Sequence, residues 1–131
     1  MYILDTNTLI YYFKGMGNVA DRLLEHPPRD IAIPSIVLYE LEVGLAKSTK
    51  PEKRRRQLEM LAELVGILPL GVEEAKTAAI ICANLEAAGI PIGPMDTLIA
   101  GTALANHGTL VTHNTKEFSR VDGLRITDWY M

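Results

Sequence analysis

Four short segments of the chain carry oxygen-bearing side chains where chemistry could be done: Leu4-Asp5-Thr6-Asn7, Tyr39-Glu40-Leu41-Glu42, Pro94-Met95-Asp96-Thr97 and Thr112-His113-Asn114. No serine or cysteine stands in a convincing order with a histidine and an aspartate, so a covalent nucleophile is a poor match. Carboxylates gathered on one rim repel one another and raise each other's pKa values unless a cation sits among them. Ligand sets made only of oxygen select hard cations, Mg²⁺ or Mn²⁺, which take few protein carboxylates and keep several waters. Such an ion activates a water and stabilises the charge that builds on a phosphodiester during in-line displacement. Metal-assisted hydrolysis is therefore the chemistry best matched to these residue types.

These segments cooperate only if the fold brings them together. Tyr2-Ile3-Leu4 is a β-prone run ending at Asp5, after which Thr6 or Asn7 caps a helix to about Lys14, broken by Gly15 and Gly17. A second helix, from about Asn18 to His26, stops at Pro27-Pro28, and Ile31-Ala32-Ile33 reads as a second strand. Ser35 then caps a helix to about Ser48, and Pro51 opens another that continues through Leu58, Leu61 and Val65. Ile67-Leu68-Pro69 is a third strand. Val72 to Ala88 is an alanine-rich helix closing at Gly89, and Gly89 to Pro94 is a loop. Met95 to Asn106 is helical, Thr109 to Thr112 extended, Asn114 to Phe118 a short turn or helix, and Arg125-Ile126-Thr127 a last strand.

Strands alternating with helices predict a three-layer α/β/α sandwich around a short, mostly parallel sheet of four to five strands, as one domain over residues 1–131. In open sheets of this kind ligands bind at the carboxyl ends of the strands. Asp5 and Thr112-His113-Asn114 fall there, Asp96 opens a helix just past the Gly/Pro loop, and Glu40 lies inside the helix after the second strand. Each residue also has a purely structural reading. Asp5 can cap the first helix, and Asp96 suits the positive end of its own. Glu40 and Glu42 both flank the apolar stripe of Val37, Leu41 and Leu45, and a helical wheel does not choose between them.

The totals narrow the class. A chain of 131 residues, 48% hydrophobic and 22% charged, is too apolar for disorder and long enough to bury a core. Its net charge of −3 is unlike that of proteins that hold nucleic acid by general phosphate neutralisation, so a local cation would have to meet a phosphate. Cys82 is the single cysteine, which excludes an internal disulfide, and its Ala/Ile-rich surroundings predict a buried, inert thiol. With no signal-peptide pattern and no apolar run approaching the ~20 residues of a membrane span, a cytoplasmic location is expected.

The four segments, taken in order, resemble those of PIN domains, and in particular of VapC-type toxins. YILDTNTLIYYFKG resembles the family's opening, IPSIVLYELEVG its strand-then-helix motif, IGPMDTLIAGTAL its third motif and LVTHNTKEFSRVDGLRITDW its C-terminal one. The resemblance runs nearly end to end. It implies a helix-flanked parallel sheet, Mg²⁺- or Mn²⁺-dependent endoribonuclease activity and a cognate antitoxin that blocks the site. On this matching Asp5 is the first acidic position, Glu40 the second and Asp96 the third, all metal-binding, while Asn114 takes the fourth, often an aspartate. An amide there carries no charge, which favours one metal ion over two, although Glu117 is near enough to substitute. Thr6 and Asn7 are expected to orient Asp5 by hydrogen bonding.

Lys53-Arg54-Arg55-Arg56 is the one basic cluster. It reads first as a solvated helix face tempered by Glu52 and Glu59, and second as a phosphate-tracking patch for RNA. Tyr11, Tyr12 and Phe13 read as core, though an exposed ring could stack on a base or receive an antitoxin helix. His113 is expected to stand by without a role. Apolar residues along Leu58 to Val65 and Ala78 to Leu85 exceed one small core and suggest a homodimer surface. Two rivals remain: a degenerate module of the same fold that only binds RNA or a partner, which Asn114 favours, and a phosphoryl-accepting domain. The latter would want an acidic pair at the first strand and a lysine near the last, and neither is present.

Overall fold

Three apolar residues suffice for a central strand when both faces are covered. Ile3 and Leu4 of β1 (Tyr2–Leu4), Ile31 to Pro34 of β2 (Ile31–Pro34), and Leu110 and Val111 of β4 (Thr109–Val111) are all buried. That is why they read as continuous apolar runs rather than as alternation. The edges, β3 (Gly66–Leu68) and β5 (Arg125–Thr127), are only partly covered, with no fully buried residue. The computed structural model describes all 131 residues. Its five strands pair in parallel throughout, in the order β3-β2-β1-β4-β5.

The helices are α1 (Thr6–Lys14), α2 (Val19–Leu24), α3 (Ser35–Lys47), α4 (Glu52–Leu64), α5 (Val72–Ala87), α6 (Pro94–Ala105) and the single turn α7 (Thr115–Phe118). From β1 the chain steps to β2 and β3; after β3 it returns across the sheet to β4 and β5. Parallel crossovers are right-handed almost without exception, so this reversal carries the later helices to the opposite face and completes the expected sandwich. It also creates a switch point. The connections leaving β1 and β4 diverge, and in such sheets a crevice opens between the two strands.

Several boundaries differ from expectation by a residue or so. Asp5, rather than Thr6 or Asn7, caps α1: it is extended (φ −81°, ψ 173°) and its side chain accepts from the Thr8 N–H. Ser35 is the first residue of α3 rather than its cap, and its hydroxyl accepts the Leu70 N–H, tying α3 to the chain after β3. β3 begins at Gly66 and ends before Pro69.

Helix α6 is the most enclosed, with Thr97 and Ile99 through Ala103 buried between α5 and the sheet. Its approach to α5 depends on Gly101, where an added Cβ would stand 2.5 Å from that of Ala78 and 2.7 Å from the Ala78 Cα. Beyond β5, Trp129 is buried, stacked on His26 with 5.2 Å between centroids and 8° between planes. His26, expected only to end a helix, is thus a packing residue. No helix is long and apolar enough to cross a membrane.

Candidate active site

The register of β1 on β4 pairs Leu4 with Val111, so Asp5 and Thr112 leave the sheet side by side at the switch point. The Asp5 N–H donates to the Val111 carbonyl at 3.2 Å, prolonging the ladder by one bond. Its carboxylate turns back and accepts the Thr8 N–H at 2.9 Å, while the Thr8 hydroxyl donates to the Val111 carbonyl at 3.1 Å. Asp5 is only 5% exposed. Burial raises its pKa above the ordinary carboxylate value, hydrogen bonds from Thr112 and Thr8 oppose the rise, and the Glu40 charge adds to it. The capping and site readings are both compatible with this geometry, because one oxygen caps the helix.

Glu40 and Glu42, equivalent on a wheel, have different surroundings. Glu40 is half-buried and accepts a 2.6 Å hydrogen bond from the Thr6 hydroxyl at the start of α1. Glu42 is exposed and pairs with Arg55 at 3.2 Å. Thr6 therefore orients Glu40, where Asp5 was the expected beneficiary, and Asn7 is exposed with no side-chain bond to Asp5. The residue that distinguishes Glu40 lies 34 positions away, beyond the reach of any periodicity.

Asp96 occupies the first turn of α6 and is half-buried. Its pKa is raised from 3.8 to about 6, first by burial and then by the charges of Asp5, Glu117 and Glu40. Every charge that moves this group is negative. Asn114 follows β4; its N–H donates to the Thr112 hydroxyl at 3.0 Å and its amide nitrogen to Glu117 at 3.1 Å. Glu117, on α7, thus stands on the same rim. Asp5, Glu40, Asp96 and Glu117 come from four separate elements and meet at one crevice.

These residues form an electrostatic sink that no lysine or arginine relieves. No three ligating side chains converge on a single point. An open rim of that kind suits a hard cation that takes one or two carboxylates and keeps the rest of its shell as water, and does not suit a closed structural metal cage.

His113 is more constrained than a bystander. Its Nδ1 lies 2.8 Å from Asp128, its ring stacks on Tyr130 at 4.3 Å and 26°, and Tyr11 meets it edge-on at 5.9 Å. Asp128 and Tyr130 escaped the sequence reading because they follow the last strand, where no motif marks them. The basic cluster divides. Arg55 pairs with Glu42, and Arg54 lies over the Phe13 ring at 5.4 Å and donates to Gln57, so Glu52 and Glu59 do not temper it by ion pairing. The Cys82 thiol is exposed, contrary to expectation, and donates to Glu86 at 3.3 Å, which holds its pKa up.

The PIN domain family model matches residues 2–124. The tRNA(fMet)-specific endonuclease VapC of Shigella flexneri is 36% identical over 129 residues, covering 98% of this chain and 97% of that protein. Among solved structures, DNA-bound VapBC from Salmonella typhimurium superposes with a TM-score of 0.90 at 36% identity, covering 98% of this chain and 97% of that one. VapBC2 from Rickettsia felis, bound to a DNA fragment from its promoter, superposes with a TM-score of 0.89 at 34% identity, with 98% of both chains covered.

Proposed function

The chain belongs to the PIN-domain family, and from that premise we propose that it is a divalent-cation-dependent endoribonuclease, the toxin of a toxin–antitoxin pair. The observation that carries the chemistry is the gathering of Asp5, Glu40 and Glu117 around the half-buried Asp96 with no lysine or arginine among them, an arrangement that raises the Asp96 pKa. A site that stores this much uncompensated negative charge is unfavourable alone and becomes favourable around Mg²⁺ or Mn²⁺.

In this reading Asp5, Glu40 and Asp96 would surround the ion, one or two of them as direct ligands and the remainder through its waters. When bound, the metal supplies Lewis-acid stabilisation of a phosphodiester and a lowered pKa for a coordinated water. The chain's own residues do the positioning. Asp5 is fixed by the Thr8 N–H, and Glu40 by the Thr6 hydroxyl. Asn114 gives its amide N–H to Glu117, which leaves its carbonyl oxygen to accept from a water without adding charge, in keeping with a single ion. Its partner is a cognate antitoxin, supported by the likeness to VapBC complexes. We further propose that it works in the cytoplasm as a homodimer, with Met60 and Leu64 of α4, 67% and 64% exposed, on the shared face. Elsewhere on the expected dimer surface Ile80 of α5 is also exposed, while Leu58, Leu61, Val65, Ala78, Ile81 and Leu85 are buried in the core.

The test is paired. Calorimetric titration of Mn²⁺ into antitoxin-free protein should saturate near one ion and fail in Asp5→Ala. Because a relative is named for tRNA(fMet), that RNA is the first substrate to offer, with other transfer, ribosomal and messenger RNAs beside it. Absence of metal binding in the wild type would make the acidic residues caps and rim charges, and would leave a binding module.

A further inference from the structure

An internal cut requires the strand to continue past the rim, and a molecule of net charge −3 offers no general field to hold it. Glu40 belongs to the rim and also borders a groove of about 510 Å³ between α1, α3 and α4. Phe13 and Leu45 line its apolar part, and Lys14, Lys50, Lys53 and Arg54 give it four cations from three stretches of chain. Arg54 is engaged by Phe13 and Gln57. Lys14, Lys50 and Lys53 are exposed and pair with no carboxylate.

A second observation points the same way. Lys53 and Arg54 follow Glu52 in the first turn of α4, so two cations stand beside the one carboxylate that suits that end, and Pro51 supplies no side-chain cap. That end of a helix carries positive partial charge and favours anions, so cations there oppose the helix's own preference. A local choice that works against its element is where function is to be sought.

We infer that this groove holds the RNA backbone on one side of the scissile phosphate, with Lys14, Lys50 and Lys53 as phosphate-binding residues. The inference rests on the nuclease reading above. A polyphosphate is favoured over an acidic peptide because the groove shares Glu40 with the rim, so any strand being cut must leave in some such direction. The free cations are lysines, which meet phosphates as point charges. The basic cluster of the sequence thus contributes Lys53 and Arg54 to this path, while Arg55 serves Glu42.

The test uses full-length Asp96→Asn protein, so that bound RNA is not cut, and a fluorescein-labelled, mixed-sequence single-stranded RNA. Kd is measured across a range of salt concentrations. Each lost phosphate contact lowers the slope of log Kd against log salt by ~0.7 for a single strand. Lys14→Gln/Lys50→Gln/Lys53→Gln should therefore lower it by about 2 and weaken low-salt binding roughly 10- to 100-fold. Arg29→Gln/Lys76→Gln/Lys116→Gln changes net charge equally outside the groove and should leave the slope near the parent's. The triple Lys→Arg variant of the groove should restore it. A groove variant with the parent's slope and affinity overturns the inference while leaving the nuclease reading intact. Loss of antitoxin binding with RNA binding unchanged assigns the groove to a protein partner and also overturns it. A parent that binds no RNA at all overturns the nuclease reading, and the groove's role with it.

Discussion

Asp5 serves the helix and the crevice with the same carboxylate, and the two duties conflict. Its oxygen satisfies the Thr8 N–H, yet burial makes its charge unfavourable. Asp5→Asn keeps an oxygen for the cap and removes the charge. That variant should therefore melt above the wild type in EDTA at neutral pH, and should lose the stabilisation that Mn²⁺ gives the wild type. Asp96→Asn should retain the fold by circular dichroism and reduce kcat by at least ~100-fold, since it removes charge from the centre of the metal site. The pH dependence follows from Asp96, whose proton leaves at about 6 against 3.8 in an unfolded chain. The metal-free fold holds that proton more tightly, so this contribution to stability is complete below 3.8 and is lost as pH rises through about 6. Metal affinity has the opposite sign, because the ion needs the carboxylate: Mn²⁺ binding and cleavage should climb through pH 6 and level off above it. Thr6→Val, which strips Glu40 of its donor, should weaken Mn²⁺ binding by about 10- to 100-fold in calorimetry.

At the scale of elements, the site's accuracy depends on how closely α6 approaches α5. Alanine at position 101 would favour the helix by ~1 kcal/mol, but its Cβ would collide with the backbone and side chain of Ala78, at a cost of about 1–3 kcal/mol. Gly101→Ala should therefore lower stability in urea unfolding, and should weaken Mn²⁺ binding because Asp96 rides on the displaced helix. Element types were legible in the sequence because the central strands are continuous apolar runs and most of the helices are long, several of them bounded by Gly or Pro. Strand order was not: a three-residue strand carries no pairing information, so the β1/β4 switch point exists only in the fold. The candidate site was legible as residue types and, through the family likeness, as positions. The hydrogen bonds that fix those positions were not, since Thr6 reaches Glu40 and His113 reaches Asp128 through tertiary structure. Cys82 is a different kind of miss. Composition suggested burial, but Ala78, Ile81 and Leu85 already define the inward face of α5, and a residue immediately after Ile81 turns outward.

Over the whole molecule, charge is arranged by function rather than spread evenly: a net acidic chain with an unrelieved acidic crevice and free lysines in the groove that borders it. The proposed dimer is tested by light scattering at micromolar concentration, with Met60→Glu/Leu64→Glu expected to halve the mass; a monomeric wild type would dismiss it. The lone Cys82 has a practical consequence. It is the one thiol in the chain, it is exposed, and it lies in the shallow α5–α6 depression with Pro94 and Thr97, the residues on either side of Met95-Asp96. A maleimide dye would attach at a single known position without any cysteine being engineered in or out. Labelling would be slow near neutrality, since Glu86 keeps the thiol protonated. Once in place, the fluorophore would sit at the foot of the helix that carries Asp96 and would report metal loading or antitoxin release in real time.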